Sequence, residues 1–204
     1  MNQDNENYWS GSDSYQYPNS EVLKNIPEIK NQEDLDLFEK NIIRLVLLKF
    51  PDAIKNDVVD LNLWKKIHKI FFDKVFSWAG QIRTVQMAKG TTMFAHPEYI
   101  ESSAKEIFND LKKENYLTSL DKENLCERLA YYFCELNMLH PFREGNGRTQ
   151  RILFSEIARR CGYDIQWFKT EATSKEQIEA SIAGTKCNYL PMTEIFNDII
   201  VKSA

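Results

Sequence analysis

Glycine and proline are scarce in this 204-residue sequence, seven and six respectively, which excludes collagen-like and linker-rich architectures. Long apolar runs are missing as well. The stretch from Ile42 to Leu48 is interrupted by Arg44 and closed by Lys49, far short of the roughly 20 residues that span a bilayer. Positive charge is not in excess: 26 Lys and Arg against 30 Asp and Glu leave a net charge of −4. That balance argues against broad binding to nucleic acid or anionic lipid, while leaving room for a local basic pocket. The four cysteines (Cys126, Cys134, Cys161 and Cys187) form no CxxC pair, so buried reduced thiols are expected rather than a zinc site or disulfide framework. The opening MNQDNENYWSGSDSYQ is polar and acidic, without a basic-then-apolar leader. The expectation is a cytoplasmic chain that contacts neither membrane nor nucleic acid directly.

What is present is an ordinary globular composition, 43% hydrophobic and 27% charged, without internal repeats. Residues 1–30 hold no sustained period and read as a partly mobile lead-in; residues 31–204 read as one domain. Leu35, Phe38, Ile42, Leu45 and Val46 recur at helical spacing behind a capping Asn31. A second helix is predicted from the cap Asp60 to Ala79, stopped by Gly80. Helical patterns resume after Pro97, after Asp121 and from Asn146 to Cys161, with Gly162 as the stop, and shorter helices fit 174–183 and 191–201. Between them, residues 81–95 carry β-branched positions on both sides of Ala88-Lys89-Gly90, the pattern of a β-hairpin and the only sheet expected. The fold class is therefore all-α, a bundle of six to eight helices with one hairpin. A hairpin protruding from a helical protein either pins a substrate or merely connects two helices, and Met87, Met93 and Phe94 are either its packing face or a hydrophobic grip on a partner.

Chemistry concentrates in His140-Pro-Phe-Arg-Glu-Gly-Asn-Gly-Arg-Thr-Gln-Arg151. Pro141 ends the preceding helix. Gly145-Asn146-Gly147 opens the next one with exposed backbone N–H groups at its positive end. Arg148 and Arg151, three apart, share a face of that first turn. Two cations beside a positive helix end point to a large anion, and a polyphosphate fits. A carboxylate among phosphate donors, Glu144, makes sense where Mg²⁺ joins it to phosphate oxygens. His140 is suited to take a proton from a hydroxyl near neutral pH, and Phe142 fastens the loop to the core. The set describes a phosphoryl- or nucleotidyl-transfer site.

The same twelve residues match the Fic signature HPFx[D/E]GNGRxxR at every specified position. The likeness extends to Tyr17-Pro18, Leu23-Lys24-Asn25, Trp78-Ala79-Gly80 and Phe94-Ala95-His96, so the chain resembles the Fic family over most of its length. The resemblance implies a Fic-type bundle with a flap at 81–95 and an active-site loop at 140–148. It implies a protein adenylyltransferase that moves AMP from ATP to a Ser, Thr or Tyr hydroxyl of a target protein and releases pyrophosphate. His140 would be the base and Glu144 the Mg²⁺ ligand. Gly145, Asn146 and Gly147 would form the anion hole, with Arg148 and Arg151 on the outer phosphates. Thr92, Met93 and Phe94 would dock the target along the flap. Tyr189 and Leu190 would either wall the adenine or belong to the core. Kinase-like relatives resembling the phage toxin Doc carry Lys in place of Gly147, so this chain sides with AMP transfer.

Many Fic enzymes are held off by a helix with the pattern [S/T]xxxE[G/N]. The one match here, Ser119 to Asn124, reads instead as the capped start of a helix, so the resemblance implies a separate small antitoxin as partner. A non-catalytic nucleotide-binding module and a phosphodiesterase that removes AMP are the alternative readings. His68 is expected to be a half-exposed packing residue, and His96 to close the hairpin or cap the next helix.

Overall fold

Capping side chains start the helices where the sequence places them. In the computed structural model, which describes residues 8–9, 13–47, 53–54, 56–90, 92–167 and 172–203, Asn31 Oδ1 accepts the Asp34 N–H at 3.1 Å and opens α1 (Gln32–Leu47). Asp60 does the same for Leu63 at 2.8 Å and opens α2 (Leu61–Phe72). α3 (Pro97–Lys113) begins at a proline, and His96 stands at its N-cap with no capping hydrogen bond from its ring. Asp121 accepts the Asn124 N–H at 3.0 Å to start α4 (Lys122–Leu139), which is the capping role read for the Ser119–Asn124 stretch. α5 (Asn146–Arg160), α6 (Ala172–Gly184) and α7 (Leu190–Ile199) complete the seven helices of the described residues. The expected tip, residues 1–7 and 10–12, lies outside the described residues.

α4 is the central helix, packed against α3, α5, α6 and α7, while α2 bridges α1, α3 and α5. Trp64, Phe71, Phe72, Tyr132, Phe142, Phe154 and Phe196 are fully buried between them. Burial of that much aromatic surface, about 1.5–3 kcal/mol per large side chain, is the main stabilisation of the fold. α6 lies so close to α4 that a Cβ on Gly184 would sit 2.4 Å from Cys134 Sγ. Cys126 and Cys134 are buried free thiols, but Cys161 is half-buried and Cys187 is exposed, so the expectation of four buried thiols holds for two. Cys187 sits in a left-handed turn at φ 58° rather than in a packed helix.

Four expectations are corrected. α2 stops at Phe72, not Ala79, because the Phe72 carbonyl takes both the Val75 and Phe76 N–H groups and tightens the chain into turns. The apolar spacing persists there because Val75, Phe76 and Trp78 still face the core. Gly80 then turns the chain at φ 78°, where a Cβ would lie 2.9 Å from the Lys65 carbonyl oxygen. The hairpin ladder is confined to β2 (Ala88–Lys89) and β3 (Thr92–Met93), and β1 (Tyr8–Trp9) adds to β2 in the antiparallel order β1-β2-β3. Nor is this the only sheet. β4 (Tyr163–Ile165), just beyond Gly162 at φ 83°, pairs with β5 (Ile200–Lys202), so the β-branched Ile200-Val201 leaves α7 two residues before its expected end.

The lead-in from Asp13 to Lys30 lies on the core. Val22 and Leu23 are buried, the Ile26 N–H donates to the Val75 carbonyl at 2.8 Å, and a Gln16–Leu23 bridge folds the segment back on itself. Among the described residues no helix is long and apolar enough to cross a membrane.

Candidate active site

The loop between α4 and α5 is held from below by aromatic packing. The Phe142 ring is buried 4.0 Å, centroid to centroid, from His68 and edge-on to Trp64. Gly145 takes φ 80°, and a Cβ there would be 2.5 Å from the Phe72 ring, so only glycine lets the backbone pass. The Asn146 side chain accepts the Phe142 N–H at 2.8 Å and donates to the Phe142 carbonyl at 2.7 Å. Its amide group is thus a clasp within the loop, and what Asn146 offers an anion is its backbone. Thr149 Oγ1 donates to the Gly145 carbonyl and receives the Trp64 indole N–H.

His68, expected to be half-exposed, is fully buried and structural. Its Nδ1 accepts the Gly80 N–H at 2.8 Å, which leaves the hydrogen on Nε2 to donate to the Glu144 carbonyl at 2.9 Å. Burial pushes its pKa down to about 4, against a weaker upward pull from that backbone bond. Arg143, beside Glu144, forms a buried ion pair with Asp13 at 2.5 Å, fastening the lead-in beneath the loop.

Above this platform stands the proposed base. His140 caps the C-terminus of α4 in a left-handed conformation (φ 43°, ψ 60°), and its ring stacks on Phe94 at 3.8 Å. Its Nδ1 lies 3.4 Å from the Asn137 carbonyl; with the hydrogen there, Nε2 is the basic nitrogen. Burial lowers its pKa to about 3, assisted by the positive charges of Arg83 and Lys89 and opposed by the Asn137 carbonyl. The imidazole is therefore neutral at physiological pH. Phe94 and Met87 are buried and Met93 is exposed, so the hairpin divides: two side chains pack it down and one faces solvent. Thr92 is half-buried.

Opposite lies the candidate anion site. Gly145 brings no side chain to cap α5, the first turn holds no acid, and the N–H groups of that turn are the orphan donors of any helix start. Arg148 lies over the Phe72 ring and pairs with Glu144 at 3.0 Å and with Glu39 of α1. The half-buried Arg151 follows one turn later, its Nη1 3.7 Å from where a Cβ on Gly147 would sit. Glu144 Oε1 also accepts the Gly145 N–H at 2.8 Å. Burial and the nearby Asp36 push the Glu144 carboxyl above the usual range, partly offset by that N–H and by Arg143 and Lys89. Arg148 and the Gly145 N–H already balance its charge, and a hard cation could share that role. Among the described residues no three His, Cys, Asp or Glu side chains gather as metal ligands; a lone carboxylate suits Mg²⁺, which takes few protein ligands and completes its shell with phosphate and water.

The loop thus gathers His140, Phe142, Glu144, Gly145, Asn146, Gly147 and Arg148 on one turn, with Phe94 over the base. Tyr189 donates to Glu135 at 2.7 Å and packs edge-on to Tyr131, while Leu190 is exposed and so is not a core residue. Sequence reasoning missed Arg83, Glu39, Asp13 and the buried role of His68. Each acts across at least 57 residues, beyond the reach of any local pattern.

Residues 58–158 match the Fic/DOC family. The chain is similar to a probable protein adenylyltransferase Fic of Escherichia coli K12, 33% identical over 195 residues that cover 95% of this chain and 94% of that protein. It is 39% identical over 175 residues to the protein adenylyltransferase VbhT of Bartonella schoenbuchensis, covering 86% of this chain but 36% of that longer protein. Among solved structures it resembles the BepC effector of Bartonella tribocorum with bound AMPPNP, at a TM-score of 0.83, 25% identity and coverage of 93% and 97% of the two chains. An ADP-bound Fic domain from Bartonella quintana is similar at a TM-score of 0.83 and 29% identity, covering 93% and 95%.

Proposed function

This chain belongs to the Fic/DOC family, and we propose that it transfers AMP from ATP to a Ser, Thr or Tyr hydroxyl of a target protein, releasing pyrophosphate. The observation that carries the reading is a neutral, buried imidazole stacked under the flap and sharing one twelve-residue turn with an uncapped helix start and Arg148. His140 Nε2 takes the hydroxyl proton as the oxygen attacks the α-phosphorus. The first-turn amides of α5, Arg148 and Arg151 hold the phosphates and stabilise the charge that builds on them. Glu144 would hold Mg²⁺, which would supply charge neutralisation at the phosphates.

Recognition of the target falls to the flap. β2 already pairs with β1, and Met93 is 60% exposed on β3; an extended target segment would lie against this hairpin, Thr92 and Met93 gripping it and Phe94 holding the base beneath. Incubating the protein with ATP, Mg²⁺ and a lysate should yield tryptic peptides bearing one AMP on a hydroxyl, and none with His140→Ala. AMP adducts formed equally by that variant would refute the role of His140.

We also propose a separate small antitoxin as the brake. Leu37 and Leu45 of α1, 59% and 64% exposed, give a helical partner an apolar seat on the outer side of the helix whose Glu39 pairs with Arg148. Co-expression with the gene's small neighbours, read by co-purification, tests this; a Leu37→Glu, Leu45→Glu variant that still co-purifies would refute it.

A further inference from the structure

Arg83 is 1% exposed and its guanidinium is spent on carbonyl oxygens. Nε donates to His140 at 2.7 Å, Nη1 to Val85 at 2.5 Å, and Nη2 to Ala95 at 2.6 Å and Leu139 at 3.2 Å. Its own backbone N–H donates to the Pro141 carbonyl, and that of Ala95 to Met138, each at 2.9 Å. One planar group therefore joins the segment entering the flap, the segment leaving it and the peptide units on either side of the His140 Cα. The last carbonyls of α4 have no donors of their own, and a cation at the negative end of a helix is favourable. His140 is not glycine, yet it is held at φ 43°, a conformation that costs about 1 kcal/mol or more and persists only where neighbours over-determine it. Lysine could not substitute, since only a planar fork reaches four acceptors at once.

We propose that Arg83 is the positioning residue of the transfer step: it fixes the left-handed turn that presents His140 beneath Phe94 and fastens both roots of the flap to that turn, so that base and target-docking hairpin hold one geometry. This rests on the reading of His140 as the base. Among the described residues, the groups that face the imidazole include the Phe94 ring, the Asn137 carbonyl and the cations Arg83 and Lys89. Arg83 thus also keeps the ring neutral, alongside burial.

The test compares Arg83→Lys, which keeps the charge and loses the fork, with Arg83→Gln, which loses both. In each, AMP transfer is measured against pH, AMPPNP affinity by calorimetry, and the His140 ring titration by NMR. Both variants should lose about 100-fold in kcat, with AMPPNP affinity within about threefold of wild type. Only Arg83→Gln should move the His140 titration and the acid limb of the rate profile upward, by on the order of one pH unit. That split is not produced by general loss of packing. Retention of wild-type kcat by both variants, an effect confined to nucleotide affinity, or an unmoved His140 titration in Arg83→Gln would overturn the proposal. Should the variants melt before assay, the wild-type protein still decides: the Arg83 Nε–H, bonded to the His140 carbonyl, should exchange slowly with solvent, and rapid exchange contradicts the assignment. If wild-type protein binds AMPPNP yet transfers nothing, the adenylyltransfer reading fails, while that exchange rate continues to judge Arg83.

Discussion

The active-site loop and the flap face each other across His140 and are built on opposite plans. From His140 to Gln150 nearly every group is tied to the core: Phe142 to two aromatic rings, Asn146 to Phe142, Glu144 through its carbonyl to His68, Arg143 to Asp13, and Gln150 to the Phe133 carbonyl at 2.6 Å. The flap tip has a two-residue ladder, an exposed Met93 and a Gly90 with nothing within 4 Å of its would-be Cβ. In the proposed reaction the phosphates take the same positions at every turnover, which suits a pre-organised loop. A protein segment varies in side chains, and a lightly held hairpin can adjust to it. Arg83 stands at the junction of the two.

Glycine substitution breaks the comparison most sharply. Gly145→Ala combines a disallowed turn with overlap of the Phe72 ring and should cost about 3 kcal/mol and nearly all transfer, whereas Gly90→Ala should cost about 1 kcal/mol. Urea denaturation of both variants measures the difference, and equal costs would mean that the loop is as pliant as the flap.

Acid should strike the loop side first. His68 and His140 have pKa values lowered from 6.5 to about 4 and about 3. The unfolded chain therefore binds protons that the fold refuses, and their stabilisation, full above pH 6.5, declines as pH falls toward 4. Between pH 7 and pH 5 each buried imidazole should remove about 2 kcal/mol. Stability curves at the two values check this, and a flat profile would show that neither ring is held neutral.

Glu39→Gln sharpens the anion site. Glu39 and Glu144 both pair with Arg148, and a triphosphate bound by Arg148 would compete with them. Releasing Glu39 should tighten AMPPNP binding about 3- to 10-fold by calorimetry; weaker binding would instead make Glu39 the residue that orients Arg148. Met93→Ala, at the flap tip, should shift stability by under about 0.5 kcal/mol and raise KM for the target a few-fold while leaving AMPPNP affinity unchanged.

The loop was legible in the sequence because its chemistry is contiguous: twelve residues hold base, carboxylate, glycines and arginines, and short-range rules suffice to place them at a helix end. The helix starts were legible for the same reason, through Asn31, Asp60 and Asp121. The supports were not. Arg83 reaches a carbonyl 57 residues away, His68 one 76 away, and Asp13 pairs across 130, and no local pattern distinguishes a buried arginine from a solvated one. α2 was extended past Phe72 because core-facing turns repeat apolar residues much as a helix does. The β4–β5 pair escaped because each strand is three residues long and its partner lies at the far end of two helices.

The most direct test of the account supplies ATP labelled in turn at its α- and γ-phosphates to the wild-type protein with its target. Label from the α position alone should appear on the target, one per pyrophosphate released, and should fall by 100-fold or more in His140→Ala. Label arriving from the γ position, or α label undiminished by that substitution, would contradict a loop that aims the imidazole-activated hydroxyl at the innermost phosphorus.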